Sequence, residues 1–420
     1  MSGFQRGLAA LIMTAVVANA SAADLSSQLK DVRSVSREGQ GNEAAAAAVR
    51  SLSAASANDL TQILAGFEGA SPLAANYLRN AVESVADRHL AAKKPFPAKQ
   101  LEAFVLERSN DPRARRLAFE VLEKVDATAG DRLIPKMLLD PSPEFRRDAV
   151  ERLVAEAESL DKDSADKAKQ VYRQALSGAT DSDLVKKISK SLKEMGDEVN
   201  LVSHFGFLTD WRIVGPFDNR EFIGFDIAYA PENELDFAAK LKAKEGEVAW
   251  GEITTSDEFG IVDIAKSVAP HKGAVMYLAT SYEAAADRNV EFRFGTPNAW
   301  KLWVNGEFLF GRDEYHRGMA IDQYRVPAKL NAGRNVILLK LCQNEQEDDW
   351  AQRYQIQIRV CDPSGVAVLP VNSDSRSTTG LIPATGGAKP NDAGSIVNVA
   401  DAASVSGNFS FAGLEEGASE

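Results

Sequence analysis

The chain has 420 residues, of which 45% are hydrophobic and 26% charged, ordinary values for a folded protein with room for roughly two or three domains. Its formal net charge is -12 at pH 7, and no run of Lys or Arg offsets that charge. An acidic body repels polyphosphate and anionic lipid, so nucleic acid and anionic membrane are excluded as expected partners.

Residues 1–22 read as a signal peptide, with Arg6 in the positive leading region, an apolar core from Leu8 to Ala18, and small residues Ala20-Ser21-Ala22 for cleavage. The expectation is an exported protein, periplasmic or extracellular, whose mature chain begins at Ala23. The apolar run is shorter than the about 20 residues a bilayer requires, and no later segment is a membrane-span candidate.

Residues 23–203 are helical in pattern, rich in Ala, Leu, Glu, Lys and Arg and poor in aromatic residues. Two stretches repeat. Asp111 to Leu122 aligns with Ser142 to Leu153, matching Pro112 with Pro143, Arg115 with Arg146, Arg116 with Arg147, Ala118 with Ala149 and Leu122 with Leu153 at one constant offset. Asp111 or Ser142 can cap a helix, the proline suits its first turn, and Ala and Leu four apart make a buried stripe. Fainter copies begin at Ser71-Pro72 and near Asp181. These residues resemble HEAT-like repeats, which implies an α-solenoid whose surface can carry a protein partner. The Arg pairs are expected to bond helix ends and neighbouring repeats.

From His204 the composition shifts to Phe, Trp, Gly and β-branched residues, and residues 204–370 form a series of short strand candidates. Trp211 to Val214 is expected to stop at Gly215-Pro216. Ala249-Trp250, Gly260 to Ile264, Ala274 to Thr280, Asn289 to Phe294, Trp300 to Asn305, Glu307 to Phe310, Tyr324 to Val326, Val336 to Cys342 and Tyr354 to Cys361 follow. Asn305-Gly306 is the strongest hairpin signal in the chain. Cys342 and Cys361 would lie toward opposite ends of a hairpin, too far apart for a disulfide. Residues 371–420 are rich in Ser, Thr, Gly, Ala and Asn and are expected to form a low-complexity flexible tail.

The opening Trp-Arg-Ile-Val-Gly-Pro-Phe strand, the central Val-Asn-Gly hairpin and the late Leu-Asn-Ala-Gly-Arg-Asn run resemble, in this order, galactose-binding-like jelly rolls such as the sugar-binding domain of family 2 glycoside hydrolases. The fold class expected is therefore a multidomain α and β protein, a HEAT-like α-solenoid followed by an antiparallel β-sandwich. The resemblance implies a module that binds or positions, with hydrolytic residues belonging to a different domain of those enzymes.

Catalytic signals are sparse. His89, His204, His271 and His316 lack metal-ligand spacing, and no Gly-x-Ser-x-Gly elbow occurs. The glycines of Gly306 to Gly311 have phosphate-loop spacing but are followed by Arg312-Asp313 in a hairpin setting. A non-catalytic protein without a cofactor is expected, with a cryptic glycoside hydrolase as a distant alternative. Glu345-Gln-Glu-Asp-Asp349 offers oxygen ligands for a structural Ca²⁺ but lacks the alternating acids and glycine of a dedicated loop, so it reads as a solvated turn.

Alternation along Trp300 to Asn305 places Trp303 on the face opposite Trp300 and Leu302, and a two-residue turn at Asn305 sets Phe308 beside it. Trp303 and Phe308 could stack on a sugar ring, with Asn305, Arg312, Tyr315, His316 and Arg317 as surrounding polar contacts. The expected function is carbohydrate recognition or adhesion, with a cell-surface glycan as partner. The alternative is a scaffold whose solenoid binds another protein and whose sandwich is a cap.

Overall fold

The computed structural model of the chain describes residues 24–36 and 39–371. The expected signal peptide, and the expected tail beyond Val371, lie outside the described residues. The chain divides into one compact unit ending at Glu158 and another beginning at Ser159, so the sheet-bearing unit takes in helices upstream of the composition change at His204.

The first unit holds α1 (24–33), α2 (Asn42–Ser53), α3 (Leu60–Ala65), α4 (Pro72–Ala91), α5 (Ala98–Leu106), α6 (Pro112–Glu123), α7 (Ala129–Leu133) and α8 (Pro143–Glu158). Side-chain caps start the helices where the sequence placed them. Ser71 accepts from Ala74 N at 3.2 Å, and Asp111 accepts from Arg113 N at 2.8 Å and Ala114 N at 3.3 Å, each followed by proline in the first turn. Ala118, Leu122 and Ala149 are buried in one apolar core. Arg115, also buried, donates to both oxygens of Asp140 at 2.8 Å and to Val105 O at 2.7 Å. Asp140 in turn accepts from Ser142 N, and its carbonyl accepts from Arg146 Nε at 3.0 Å. The repeated arginines thus tie one helix start to the next.

The second unit begins with α9 (Ala165–Gly178), α10 (Ser182–Glu194) and α11 (Leu201–Phe205). Its strands are β1 (Asp210–Asp218), β2 (Leu241–Lys242), β3 (Glu247–Val248), β4 (Gly251–Thr254), β5 (Val262–Asp263), β6 (Ala274–Ala284), β7 (Arg288–Gly295), β8 (Ala299–Val304), β9 (Glu307–Arg312), β10 (Tyr324–Leu330), β11 (Gly333–Gln343) and β12 (Gln355–Cys361). They pair antiparallel as a six-stranded sheet, β4-β1-β6-β11-β8-β9, a four-stranded sheet, β10-β7-β12-β5, and the small pair β2-β3. Trp300, Leu302, Leu339 and Met276 of the larger sheet share one core with Phe292, Phe294, Ile356 and Ile358 of the smaller, and Phe294 meets Trp300 edge-on at 4.3 Å.

Two expectations are corrected. β1 does not end at Gly215-Pro216: it continues to Asp218 past a register shift between Val214 and Phe217. Gly215 makes this possible, because it takes φ 144° and a Cβ there would meet Val275 O at 2.7 Å. The runs ending at Cys342 and Cys361 are not hairpin partners, since β11 belongs to the larger sheet and β12 to the smaller. Both cysteines are free and buried, and burial pushes their thiols up, to about 12 for Cys342 and about 11 for Cys361.

The outer face of the larger sheet is also covered. Phe225, Tyr229, Leu235, Phe237, Leu241, Val248 and Trp250 pack over Val214, Tyr277, Trp303, Leu338 and Cys342. Lys340 fastens this cover. Its ammonium is fully buried and donates to Phe225 O at 3.0 Å, Ile227 O at 2.7 Å and Glu232 Oε1 at 2.7 Å, while the Tyr277 hydroxyl donates to the same carboxylate. On the smaller sheet Asp322 joins Arg359, at 2.6 and 2.7 Å, with Arg293, at 3.1 Å, and the Arg359 guanidinium lies 5.5 Å from the Phe205 ring of α11. Burial pulls the Asp322 carboxyl up, but the hydrogen bonds and charges of the two arginines outweigh it and hold the acid below its ordinary value.

Candidate functional site

The expected site residues fall at two ends of β8 and β9. At the hairpin end, Asn305 and Gly306 take φ 54° and 80°, and Val304 pairs with Glu307, which is the tight two-residue turn the sequence predicts. Asn305 is engaged in building that turn, its amide donating to Asn335 Oδ1 and accepting from Val336 N, both at 2.9 Å. Trp303 pairs with Phe308, with ring centroids 5.5 Å apart. Side-chain parity places Trp303 on the outer face as expected, but the residue is only 9% exposed. Alternation says which face a residue occupies, not what covers that face, and the 225–250 cover is specified elsewhere in the chain. Phe308 is exposed, without Trp303 as an open stacking partner.

At the opposite end, three loops converge: 219–225 after β1, 313–317 after β9 and 344–350 after β11. Tyr315 and His316 occupy the middle loop. The Tyr315 hydroxyl accepts from Asn219 Nδ2 at 3.1 Å, and His316 Nε2 lies 2.7 Å from Asn344 Oδ1. Glu221 N donates to Glu345 Oε2 at 2.9 Å, joining the first loop to the third. Asn219 and Asn344 are themselves buried, so these ties anchor the loops to the sheet end.

Aromatic rings line this end. Phe222, 51% exposed, meets the edge of Tyr315 at 5.2 Å, and Trp350, 59% exposed, meets the edge of His316 at 4.9 Å. Glu221, Phe222 and His316 all have positive φ, at 54°, 65° and 54°, a conformation costly for residues with a Cβ and concentrated in proteins at binding and catalytic sites. Burial pushes the Tyr315 hydroxyl well above its usual range, so it remains protonated at neutral pH.

The arginines at this end contact carboxylates. Arg312 and Arg317 share the single carboxylate of Glu314, at 2.9 and 3.2 Å, and Arg220 contacts Asp218 at 2.6 Å. Arg220 hydrogen bonds hold the Asp218 carboxyl down at about 2. What the loop end presents is aromatic surface able to stack on a ring, beside the exposed acidic stretch Glu345 to Asp349, with the Asn219 and Asn344 amides buried behind it. Of the expected residues it gathers Arg312, Tyr315, His316 and Arg317. It adds Phe222, Trp350, Asn219 and Asn344, for which the sequence offered one local signal, the tryptophan closing an otherwise polar acidic loop. Among the described residues no group of three or more His, Cys, Asp or Glu is placed to hold a metal ion, and none of the described helices is long and apolar enough to cross a membrane.

No protein-family profile and no curated protein sequence matches the chain. Solved structures to which it is similar include the β-glucosidase from Kluyveromyces marxianus, at 10% identity and TM-score 0.23, over 70% of this chain and 36% of that one. The same enzyme in complex with glucose matches at 9% identity and TM-score 0.22, again over 70% and 36%. The GH31 α-xylosidase from Xanthomonas citri matches at 11% identity and TM-score 0.16, over 28% of this chain and 15% of that one. The chain therefore spans about a third of the β-glucosidase's length. The expectation of a non-catalytic chain is corrected by these matches, each of which is a glycosidase. At these TM-scores the likeness assigns neither a fold nor a catalytic residue.

Proposed function

We propose that the sheet-bearing unit of this chain recognises carbohydrate at the loop end built by Phe222, Tyr315, His316 and Trp350, within an exported protein that pairs HEAT-like helical repeats with a galactose-binding-like jelly roll. The observation that carries the reading is the pair of exposed aromatic rings, Phe222 and Trp350, flanking Tyr315 and His316, which buried Asn219 and Asn344 hold, with Phe222 and His316 on left-handed backbone. An aromatic ring covers the apolar face of a sugar, and half-buried Tyr315 and His316 lie between the two exposed rings.

A glycan array probed with the full chain tests this. A bound sugar class is expected, and Trp350→Ala should weaken its binding by about 1 to 3 kcal/mol in calorimetry, the range of an aromatic anchor at a binding site. Full binding by the variant would remove the site from this loop end. No binding anywhere on the array would leave the alternative expectation, a scaffold whose helices carry a protein partner.

A further inference from the structure

We propose that Lys301 is a covalent modification site, its side-chain amine condensing with small neutral aldehydes to form an imine. Among the described residues after 203, the lysines not exposed to solvent are Lys244, Lys272, Lys301 and Lys340. Three of them donate to oxygen: Lys244 to Lys272 O at 2.8 Å and Gly273 O at 3.0 Å, Lys272 to Ala351 O at 2.9 Å, and Lys340 to Glu232 Oε1 at 2.7 Å. The Lys301 ammonium makes no hydrogen bond or ion pair with the described residues and instead lies 4.4 Å from the centre of the Phe225 ring. A phenyl face holds a cation more weakly than a carboxylate at ion-pair distance does. The charge on Lys301 is therefore the least supported of the four.

Strand pairing sets this environment. Lys301 of β8 pairs with Lys340 of β11 on one side and Gly311 of β9 on the other, so the two lysine side chains share the covered outer face of the larger sheet. A Cβ at Gly311 would meet Lys301 Cγ at 2.7 Å, so the glycine gives the lysine stem its room. Burial first, and then the Lys340 charge, hold the Lys301 ammonium below the usual lysine range, against the opposing pull of Glu232 and Asp226. Asp313 feels the same charge, whereas the Cys342 thiol, pushed up to about 12 by burial, is neutral at pH 7. A desolvated amine beside a second cation gives up its proton more readily, and the neutral amine is the nucleophile. It adds to the aldehyde carbon, the nitrogen releasing a proton to water as the oxygen takes one up, and the resulting hydroxyl then leaves as water to give the imine. Nothing is oxidised or reduced. The carboxylates of Asp226, Glu232 and Asp313 disfavour an anionic carbonyl compound here, which is why the aldehyde is neutral.

The test is reductive trapping on the full chain, with glycolaldehyde and sodium cyanoborohydride at pH 7, followed by proteolysis and mass mapping of the lysines. Lys301 should be modified several-fold faster than exposed Lys94 and Lys240, and its rate should level off at a lower pH than theirs. Glyoxylate, an anionic aldehyde, should favour Lys301 over the same two lysines less than glycolaldehyde does. In urea strong enough to unfold the chain the lead should vanish, because the strand pairing and the cover that create it are gone. A Lys301 rate no faster than those of Lys94 and Lys240 overturns the proposal, as does a lead that survives unfolding. Equal or greater preference for Lys301 with glyoxylate overturns the assignment of a neutral aldehyde. None of these outcomes depends on whether the loop end binds sugar.

Discussion

Asp322 shows how one side chain can hold an interface together. It takes φ 59° and accepts from two arginines, Arg359 and Arg293, whose side chains are only 1% and 6% exposed. Removing the carboxylate leaves buried Arg359 without its acidic partner, while Arg293 keeps Glu291 at 2.7 Å. Asp322→Ala should therefore destabilise the sheet-bearing unit by about 3 to 5 kcal/mol, measured by urea unfolding, well beyond the cost of a surface substitution. His204 supplies a pH-dependent term in the same unit. Burial lowers its pKa below 6.5, despite the contact of Nε2 with Ala179 O at 2.9 Å. The neutral form is the native one, so above pH 6.5 the residue adds no pH dependence. As pH falls below 6.5 the unfolded chain takes up a proton that the folded chain resists, and stability declines until the lowered folded value is reached. His204→Gln should flatten the fall in urea midpoint between pH 7 and 5. An unchanged slope would show that other groups carry it.

At the level of elements, turns and caps were legible because their chemistry is local. Asn305-Gly306 needs two left-handed residues in succession, and few other dipeptides supply them. Gly306→Ala keeps the turn's hydrogen bonds but adds a Cβ at φ 80°, so a loss of about 1 to 2 kcal/mol is expected in the tryptophan-monitored urea midpoint. The proline-started helices were equally readable, since Asp111 and Ser71 each satisfy amide groups within their own first turn. Strand ends were harder. Gly215-Pro216 looks like a stop from the sequence, yet β6 offers partners on both sides of the bulge.

For the whole molecule, the division after Glu158 has a spectroscopic consequence. All five tryptophans, at 211, 250, 300, 303 and 350, lie in the second unit, so tryptophan fluorescence reports that unit alone. Ala118 is fully buried in the core of the first unit, and Ala118→Leu should overpack it by about 1 to 3 kcal/mol. The change should appear in the circular dichroism melt and leave the fluorescence melt in place. A matching shift in both signals would show that the two units unfold as one.

By itself the sequence determined the helical and sheet-bearing regions, the parity of Trp303, the Asn305-Gly306 turn and the repeated helix starts, because each depends on residues within a few positions of one another. Tertiary structure decided what lay outside that range. Trp303 has the right face for binding, but a segment more than fifty positions upstream covers it. Phe222, Tyr315, His316 and Trp350 are scattered across three loops and meet only because β1, β9 and β11 end at the same edge of the fold. The pairing of strands distant in sequence is a property of the buried core between the sheets, and no local pattern records which loops that core will bring together.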